Sequence, residues 1–316
     1  MKKGFAILMA LCLLLGCVPA LADELYRVGV CQHIQHEALD EATQGFIDAL
    51  TAEIGDEVSI EIQNASGDNG VCLAIISDFV SNDVDLILAN STPSLQAAYA
   101  ATSDIPVLGT SITEYCVALG LDGFNDVSGS NISGTSDLAP LDQQAALITE
   151  LFPQAQKVAI LYCSAEPNSL YQVEIVTAEL EKLGISVKPF SFVDVNEMSL
   201  IAQEACDYAD VIYTPTDNTI AASAGILDNI CHPAGKPVIT GDTGTCRTAG
   251  AAVLGISYYE LGSLTGRMAA SILKEETDIS TLPIAYAENV TKYYNPAICE
   301  ALGITIPDGF TALPAN

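Results

Sequence analysis

The stretch DLILANSTPSLQAA at Asp85–Ala98 has the same order of residue types as DVIYTPTDNTIAAS at Asp210–Ser223. In each copy an Asp precedes a short apolar run, and a polar cluster and an Ala-rich segment follow. A short apolar run between polar turn residues predicts a buried parallel strand, and the Ser, Thr, Asp and Asn after it predict a helix N-cap. Ligands of open α/β sheets lie at the carboxyl ends of the strands, so two such edges predict two facing lobes.

Strand and helix patterns alternate on both sides of the two copies. A strand pattern at Leu25–Cys31 and an amphipathic helix pattern at Ala38–Thr51 precede the first copy. A strand at Val158–Tyr162 and a helix at Ser169–Leu183 precede the second. This order predicts an α/β fold with parallel sheets and crossover helices. The stretch 122–134, rich in Gly, Ser, Asn and Asp, is predicted to cross between the halves.

The first residues have the pattern of an export signal. Lys2 and Lys3 precede an apolar run that is too short to span a bilayer permanently. The Ala-Leu-Ala sequence that ends at Ala22 predicts cleavage of a signal peptide over residues 1–22. The preceding Leu-Leu-Gly-Cys resembles a lipobox and offers Cys17 as an alternative lipidation site. Both possibilities predict an exported chain, either periplasmic or attached to the outer face of the cell membrane as a lipoprotein.

The composition excludes some functions. Half of the residues are apolar, and 40 acidic against 11 basic residues give a net charge of −29, which argues against nucleic-acid binding. The sequence has no nucleophile elbow, dinucleotide fingerprint or P-loop, so neither enzymatic activity nor a cofactor is predicted. Cys31, His33 and His36 lie close in sequence, but no fourth ligand is evident and no metal site is predicted. The pairing of the cysteines stays open.

Polar side chains gather at the predicted strand ends and form the candidate ligand site. A ligand ammonium is predicted to pair with Asp217, and a ligand carboxylate is predicted to meet backbone N–H groups at a helix N-terminus. A plain capping turn is the alternative, since Thr and Asp would satisfy it equally. The candidates from this argument are Asn90, Ser91, Thr92, Ser111, Asp217, Asn218 and Asp242.

Several of these segments also resemble one family. VGVCQHIQHEALDEATQGFIDAL, DLILANSTPSLQAA, NISGTSDLAPLDQQ, ILYCSAEPNSLYQVE, IYTPTDNTIAAS and GISYYELGSLTGRMAASIL are similar to ABC-transporter substrate-binding proteins that include TrpX-like tryptophan binders. The resemblance implies the type I periplasmic-binding-protein fold, in which two Rossmann-like lobes with parallel sheets are joined by a hinge. It implies an N-terminal lobe of residues 23–125 plus 256–278 and a C-terminal lobe of 126–255 plus 279–316. It places in the cleft Gln32, Ser91, Thr92, Ser136, Asn168, Asp217, Asn218 and Asp242.

The predicted function is that of an extracytoplasmic solute-binding protein of an ABC importer. Its ligand is expected to be a small zwitterion, and an aromatic amino acid is the expected class. Its expected partner is an ABC permease in the membrane, and the protein is expected to be a monomer. Two alternatives stay open, namely an exported ligand-sensing module that feeds a membrane receptor and a binding protein for another small solute such as a nucleoside. The segments Thr113–Tyr115 and Tyr162–Asn168 depart from the family pattern, which leaves the ligand open.

Overall fold

The computed structural model describes residues 25–121, 126–287 and 289–314. The predicted signal peptide and Cys17 lie outside the described residues. Within those ranges the chain builds two open sheets, one of six strands and one of seven. No helix in the same ranges is long and apolar enough to cross a membrane.

Strands and helices alternate through the first part of the chain. The strands are β1 (Tyr26–Gln32), β2 (Val58–Asn64), β3 (Leu86–Asn90), β4 (Val107–Ile112) and β5 (Ile132–Ser136). The helices are α1 (Glu37–Ile54), α2 (Asn69–Ser81), α3 (Thr92–Ala101) and α4 (Tyr115–Leu119). The five strands are parallel neighbours in the order β5-β4-β3-β1-β2, as successive right-handed crossovers through helices produce.

The second part repeats the plan. Its helices are α5 (Leu141–Leu151), α6 (Pro167–Lys182), α7 (Val195–Tyr208), α8 (Asn218–Ala222), α9 (Ala224–Cys231) and α10 (Thr243–Ala249). Its strands are β6 (Lys157–Cys163), β7 (Ser186–Phe192), β8 (Val211–Thr214), β9 (Val238–Thr240) and β10 (Ala252–Gly255), and they stand in the order β10-β9-β8-β6-β7. The predicted α/β fold class with two parallel-rich sheets is therefore confirmed.

The last part of the chain returns to both sheets. Its elements are α11 (Tyr258–Leu273), β11 (Ala285–Tyr286), β12 (Thr291–Tyr294), α12 (Pro296–Leu302) and β13 (Thr311–Ala312). Helix α11 packs against α1 of the first lobe, where a Cβ on Gly262 would lie 1.9 Å from the carbonyl oxygen of Ala42. Strand β11 pairs with β5, whereas β12 pairs with β10. The chain thus crosses between the sheets after β5, before α11 and after β11.

The sheet pairing corrects the predicted boundaries and the predicted crossover at 122–134. Strand β5 and strand β11 both belong to the first sheet, so that sheet extends beyond residues 125 and 278. The sequence Ile132–Ser136 carries one large apolar residue and gives little strand signal. It becomes a strand because it pairs with β4 at close range: Gly134 has a φ of +140°, and a Cβ there would lie 2.0 Å from the Gly109 oxygen.

The two template strands occupy the centre of their sheets. Every residue of β3 and of β8 is buried, and α3 and α8 follow directly at their carboxyl ends. Apolar side chains cover both faces of each sheet. The sequences of these short strands are therefore continuously apolar and do not alternate between apolar and polar residues. The polar residues after each run therefore lie at the carboxyl edge of a rigid sheet.

Candidate functional site

The carboxyl edges of the two sheets face each other, and the lobes touch there. Glu37, at the start of α1, forms an ion pair with Arg247 of α10. The Nε2 atom of His36 lies 3.3 Å from Oδ1 of Asn218, a residue predicted to lie in the cleft. Helix α4 of the first lobe contacts α6 of the second. The cleft between the lobes is therefore closed in this structure.

The histidines after β1 do not converge on one point. The Nδ1 atom of His33 lies 3.4 Å from the sulfur of Cys72 inside the first lobe, whereas His36 reaches across the cleft. Burial lowers the pKa of His36. In the described ranges no group of three or more His, Cys, Asp and Glu side chains is arranged to hold a metal ion.

Two strained serines line the first wall of the cleft. Ser91 and Ser111 have φ values of 95° and 56°, in the left-handed region that is unfavourable for residues other than glycine. Both hydroxyls are buried, and neither has a hydrogen-bond partner among the described residues. Ser91 precedes α3 without capping it through its side chain, and the buried Thr92 begins the helix. The positive end of α3 and the free Ser91 hydroxyl together favour an anionic ligand group.

Two amide side chains of the first lobe hold the wall in place. The Nδ2 atom of Asn90 donates to the Leu39 oxygen and to Oγ1 of Thr43, each at 2.9 Å. Its Oδ1 atom is buried and has no partner in the described part of the chain. Gln32 uses both ends inside its own lobe, since Oε1 accepts from Thr43 and Nε2 donates to Asp40. These bonds position α1, and the ligand contact of Gln32 stays a prediction.

Asp137 is the cleft carboxylate that the sequence argument missed. It follows β5, is 4% exposed, and its Oδ2 accepts the hydroxyl of Tyr258 at 2.9 Å. Its Oδ1 is buried without a partner among the residues described. Burial raises the pKa of Asp137 to about 6, and the charge of Asp242 in the second lobe adds to the rise, while hydrogen bonding with the side chains of Tyr258 and Thr113 opposes it. An acceptor with this environment would be stabilised by a cation.

Asp217, the predicted ammonium partner, is occupied within the second lobe. Its Oδ2 accepts from the backbone N–H of Cys163 at 2.7 Å and from the Ser169 hydroxyl at 2.8 Å. Its Oδ1 caps α8 by accepting from the N–H of Ile220 at 2.9 Å. The capping alternative therefore describes Asp217 in this structure, and its contact with a ligand ammonium stays a prediction. Through these hydrogen bonds, Asp217 connects the segment after β8 to the end of β6 and the start of α6.

Glu166 already supplies the anion at the N-terminus of α8. Its two carboxylate oxygens accept from the backbone N–H groups of Asn218 and Thr219 at 3.0 and 2.8 Å. They also accept from the side chains of the same two residues, each at 2.7 Å. Glu166 is 5% exposed, so this anion site is filled from within the lobe. A ligand carboxylate has no comparable site left at α8.

Asn168 faces the cleft region as a hydrogen-bond acceptor. Its Nδ2 donates to Oε2 of Glu166 and to the backbone oxygen of Thr216, both at 3.2 Å. Because a carboxylate and a carbonyl can only accept, these contacts fix the orientation of the amide. The remaining Oδ1 is buried, and the described residues provide no partner for it.

The other two predicted residues make contacts near the cleft. Asp242 caps α10, accepting from the N–H and the hydroxyl of Thr245 at 2.7 Å each. It lines a cavity of about 130 Å³ between the lobes together with His36 and Glu37. The hydroxyl of Ser136 donates to the Thr113 oxygen at 3.0 Å and so fixes the end of β5 beside Asp137.

Two lobes that close over unpartnered buried acceptors and a helix N-terminus define a binding protein of the type I periplasmic-binding-protein fold. The chain matches the model of the family described as ABC transporter substrate binding protein over residues 27–316. It therefore belongs to the ABC transporter substrate-binding protein family. The family and its structural neighbours are substrate-binding proteins.

Two individual relatives are described with an aromatic amino acid. The chain is 34% identical to the tyrosine-binding protein of Clostridioides difficile over 279 residues, which are 87% of this chain and 80% of that protein. An ABC domain from Streptococcus pneumoniae in complex with L-Trp is 32% identical, with a TM-score of 0.86 over 92% of this chain and 100% of the other.

A third relative was solved without ligand. The ligand-free, open structure of a substrate binding protein with adhesive properties from Clostridium difficile is 34% identical, with the same coverages and a TM-score of 0.71. This TM-score is lower than that of the complex with L-Trp although the sequence identity is higher. The difference fits a closed arrangement of this chain, in which Glu37 contacts Arg247 and His36 contacts Asn218 across the cleft.

Proposed function

We propose that this protein binds an aromatic L-amino acid, tyrosine or tryptophan, in the cleft and delivers it to an ABC permease. The observation that carries the proposal is the pair of opposite binding sites in one closed cleft. The N-terminus of α3 with the free Ser91 hydroxyl suits an anion, and the free oxygen of Asp137 suits a cation. A zwitterion supplies both charges. The tyrosine-binding relative and the relative in complex with L-Trp support an aromatic side chain.

The ligand carboxylate is assigned to the first lobe. Helix α3 has ten residues and its positive end lies directly after the central strand β3. The corresponding helix of the second lobe, α8, is short and already holds Glu166. The asymmetry favours α3, with Ser91 donating a charge-assisted hydrogen bond to the carboxylate.

The ligand ammonium is assigned to Asp137. In the closed cleft its charge lies close enough to Asp242 to raise its pKa, so an ammonium between the lobes would relieve the repulsion of the two carboxylates. The remaining acceptors, Oδ1 of Asn90 and Oδ1 of Asn168, suit the phenol O–H or indole N–H of the ligand ring. Closure removes water from these pairs and so strengthens them.

Isothermal titration calorimetry with matched ligand analogues tests the assignment. L-Tyrosine and L-tryptophan are expected to bind with Kd values near or below about 1 μM, equivalent to roughly −8 kcal/mol. Tyramine lacks the carboxylate and 3-(4-hydroxyphenyl)propionate lacks the ammonium, so each is expected to bind at least about 100-fold more weakly. If neither amino acid binds, the proposed ligand is wrong. If both analogues bind as tightly as L-tyrosine, the assignment of the two charged groups is wrong.

Export and transport are part of the same proposal. The chain is secreted through residues 1–22 or anchored through Cys17, and it acts outside the cytoplasm as a monomer. Mass spectrometry of the mature N-terminus separates cleavage after Ala22 from lipid attached to Cys17, and light scattering measures the monomer mass. Loss of labelled tyrosine uptake on deletion of the gene would support transport, whereas unchanged uptake with a lost transcriptional or chemotactic response would support the sensing alternative.

A further inference from the structure

The second lobe holds two buried thiols in contact with each other. The sulfur atoms of Cys206 and Cys231 lie 3.5 Å apart, and the two residues are 2% and 1% exposed. Cys206 belongs to α7 and Cys231 is the last residue of α9, and these two helices pack together. The residues are separated by 25 positions in sequence, so their pairing is a tertiary contact that spacing alone does not reveal.

We propose that Cys206 and Cys231 form a structural disulfide in the exported protein. A disulfide requires its sulfurs to approach to about 2.0 Å, so the two atoms need to move closer by roughly 1.5 Å. Small rotations of the two side chains on adjoining helices supply such a movement. The bond would join α7 to α9 within the apolar cluster that also contains Ile212 of β8, and would stabilise the lobe by restricting its unfolded chain.

The reaction is thiol–disulfide exchange with an extracytoplasmic oxidant that carries a disulfide. While the lobe is still folding and the thiol is accessible, the thiolate of Cys206 attacks one sulfur of that oxidant and displaces the other as a thiolate, which forms a mixed disulfide. Cys231, after losing its proton, then attacks the Cys206 sulfur and releases the second thiol. Both cysteines are oxidised, and the oxidant is reduced to two thiols.

The first lobe contains a second thiol pair that serves as an internal control. The sulfurs of Cys31 and Cys72 lie 3.6 and 3.7 Å from the hydroxyl oxygen of Ser94, which contacts both. Cys72 also contacts His33. Cys31 also interacts with Cys72 and lowers the Cys72 pKa, but both sulfurs are engaged by the Ser94 hydroxyl in the first turn of α3. We therefore expect this pair to remain reduced.

Alkylation and peptide mass spectrometry test the proposal on the mature chain. Protein from an exported fraction is denatured without reductant, alkylated with iodoacetamide and digested. The expected result is a cross-linked peptide that contains Cys206 and Cys231, with the Cys31 and Cys72 thiols alkylated. The same chain produced in the cytoplasm is expected to gain this cross-link when it is unfolded and refolded with glutathione disulfide. Alkylated Cys206 and Cys231 in both samples would overturn the proposal.

Thermal unfolding measures the stabilising effect. A phosphine reductant is expected to lower the Tm of the oxidised protein by roughly 5 to 10 °C, from a cross-link that closes a loop of this length. The variant with Cys31→Ser and Cys72→Ser should keep this response, and the variant with Cys206→Ser and Cys231→Ser should lose it. An unchanged Tm of the cross-linked wild-type protein with reductant would overturn the stabilising role. The test requires no ligand, so its failure is separate from failure of the proposed binding function.

Discussion

Replacing Asp137 by Asn removes one negative charge from the cleft and preserves the shape of the side chain. Burial raises the Asp137 pKa from 3.8 to about 6, so holding this carboxylate ionised in the free closed protein costs on the order of 3 kcal/mol. A ligand ammonium on the free Oδ1 would offset that cost. Removal of one partner from a buried ion pair costs about 3 to 5 kcal/mol, so the Kd for L-tyrosine is expected to rise by at least about 100-fold.

The same carboxylate gives stability and binding opposite pH dependences. Because the folded pKa of Asp137 is raised, its protonated form favours folding: this contribution is complete below about pH 4 and is lost as the pH rises through about 6. Ligand affinity runs the other way, since a proton on Asp137 competes with the ammonium. The affinity of the wild-type protein should therefore fall, by up to about tenfold per pH unit, below about pH 6.

Calorimetric titrations of L-tyrosine between about pH 5 and pH 8 measure both effects. Asp142→Asn is the matched control, because it removes the same charge from an exposed position in the first turn of α5. The control is expected to retain the affinity and the pH dependence of the wild-type protein, whereas Asp137→Asn should bind weakly at every pH. Binding by Asp137→Asn within about threefold of the wild-type affinity, well under 1 kcal/mol, would refute the ammonium assignment.

Other substitutions test the remaining contacts. Ser91→Ala removes the free hydroxyl at α3, and calorimetry is expected to show a Kd for L-tyrosine about 10-fold higher, whereas an unchanged Kd would remove Ser91 from the site. Arg247→Gln breaks the contact with Glu37 across the cleft, so the Kd for L-tyrosine should rise by about fivefold. Small-angle scattering should then report a more open liganded protein. Adding Glu37→Gln to this variant should change the Kd little further. Gly262→Ala forces a Cβ against the Ala42 oxygen and should cost about 2 kcal/mol or more in denaturant unfolding, and unchanged stability would contradict that packing.

The sequence predicted those elements that depend only on residues close to one another in the chain. The runs after Asp85 and Asp210 form buried strands because three or four consecutive apolar residues can be buried only between two covered faces. Ser91 and Ser111 were found as strand-end residues for the same reason. Their positive φ angles and unpartnered hydroxyls depend on neighbouring chain segments, so no local sequence pattern predicts them.

The missed residue Asp137 and the contacts that occupy Asp217 depend on parts of the chain that are distant in sequence. Asp137 follows a strand whose sequence is polar and whose existence rests on pairing with β4, so the strand-end argument never reached it. The donors that occupy Asp217 include Cys163 and Ser169, 54 and 48 residues away. A capping Asp and a ligand-binding Asp have the same local sequence, and only the donors around them distinguish the two.

The two template copies therefore differ in how the start of the following helix is satisfied. In the second copy, Asp217 and Glu166 accept the donors at the start of α8, so that helix end is satisfied within its own lobe. In the first copy, the side chain of Ser91 leaves the start of α3 uncapped. One helix end thus belongs to the scaffold and the other is open to a ligand anion. If Glu166→Gln destabilises the second lobe but leaves the Kd for L-tyrosine unchanged, the ligand carboxylate lies at α3; if it improves binding by letting the carboxylate move to α8, the proposed orientation is reversed.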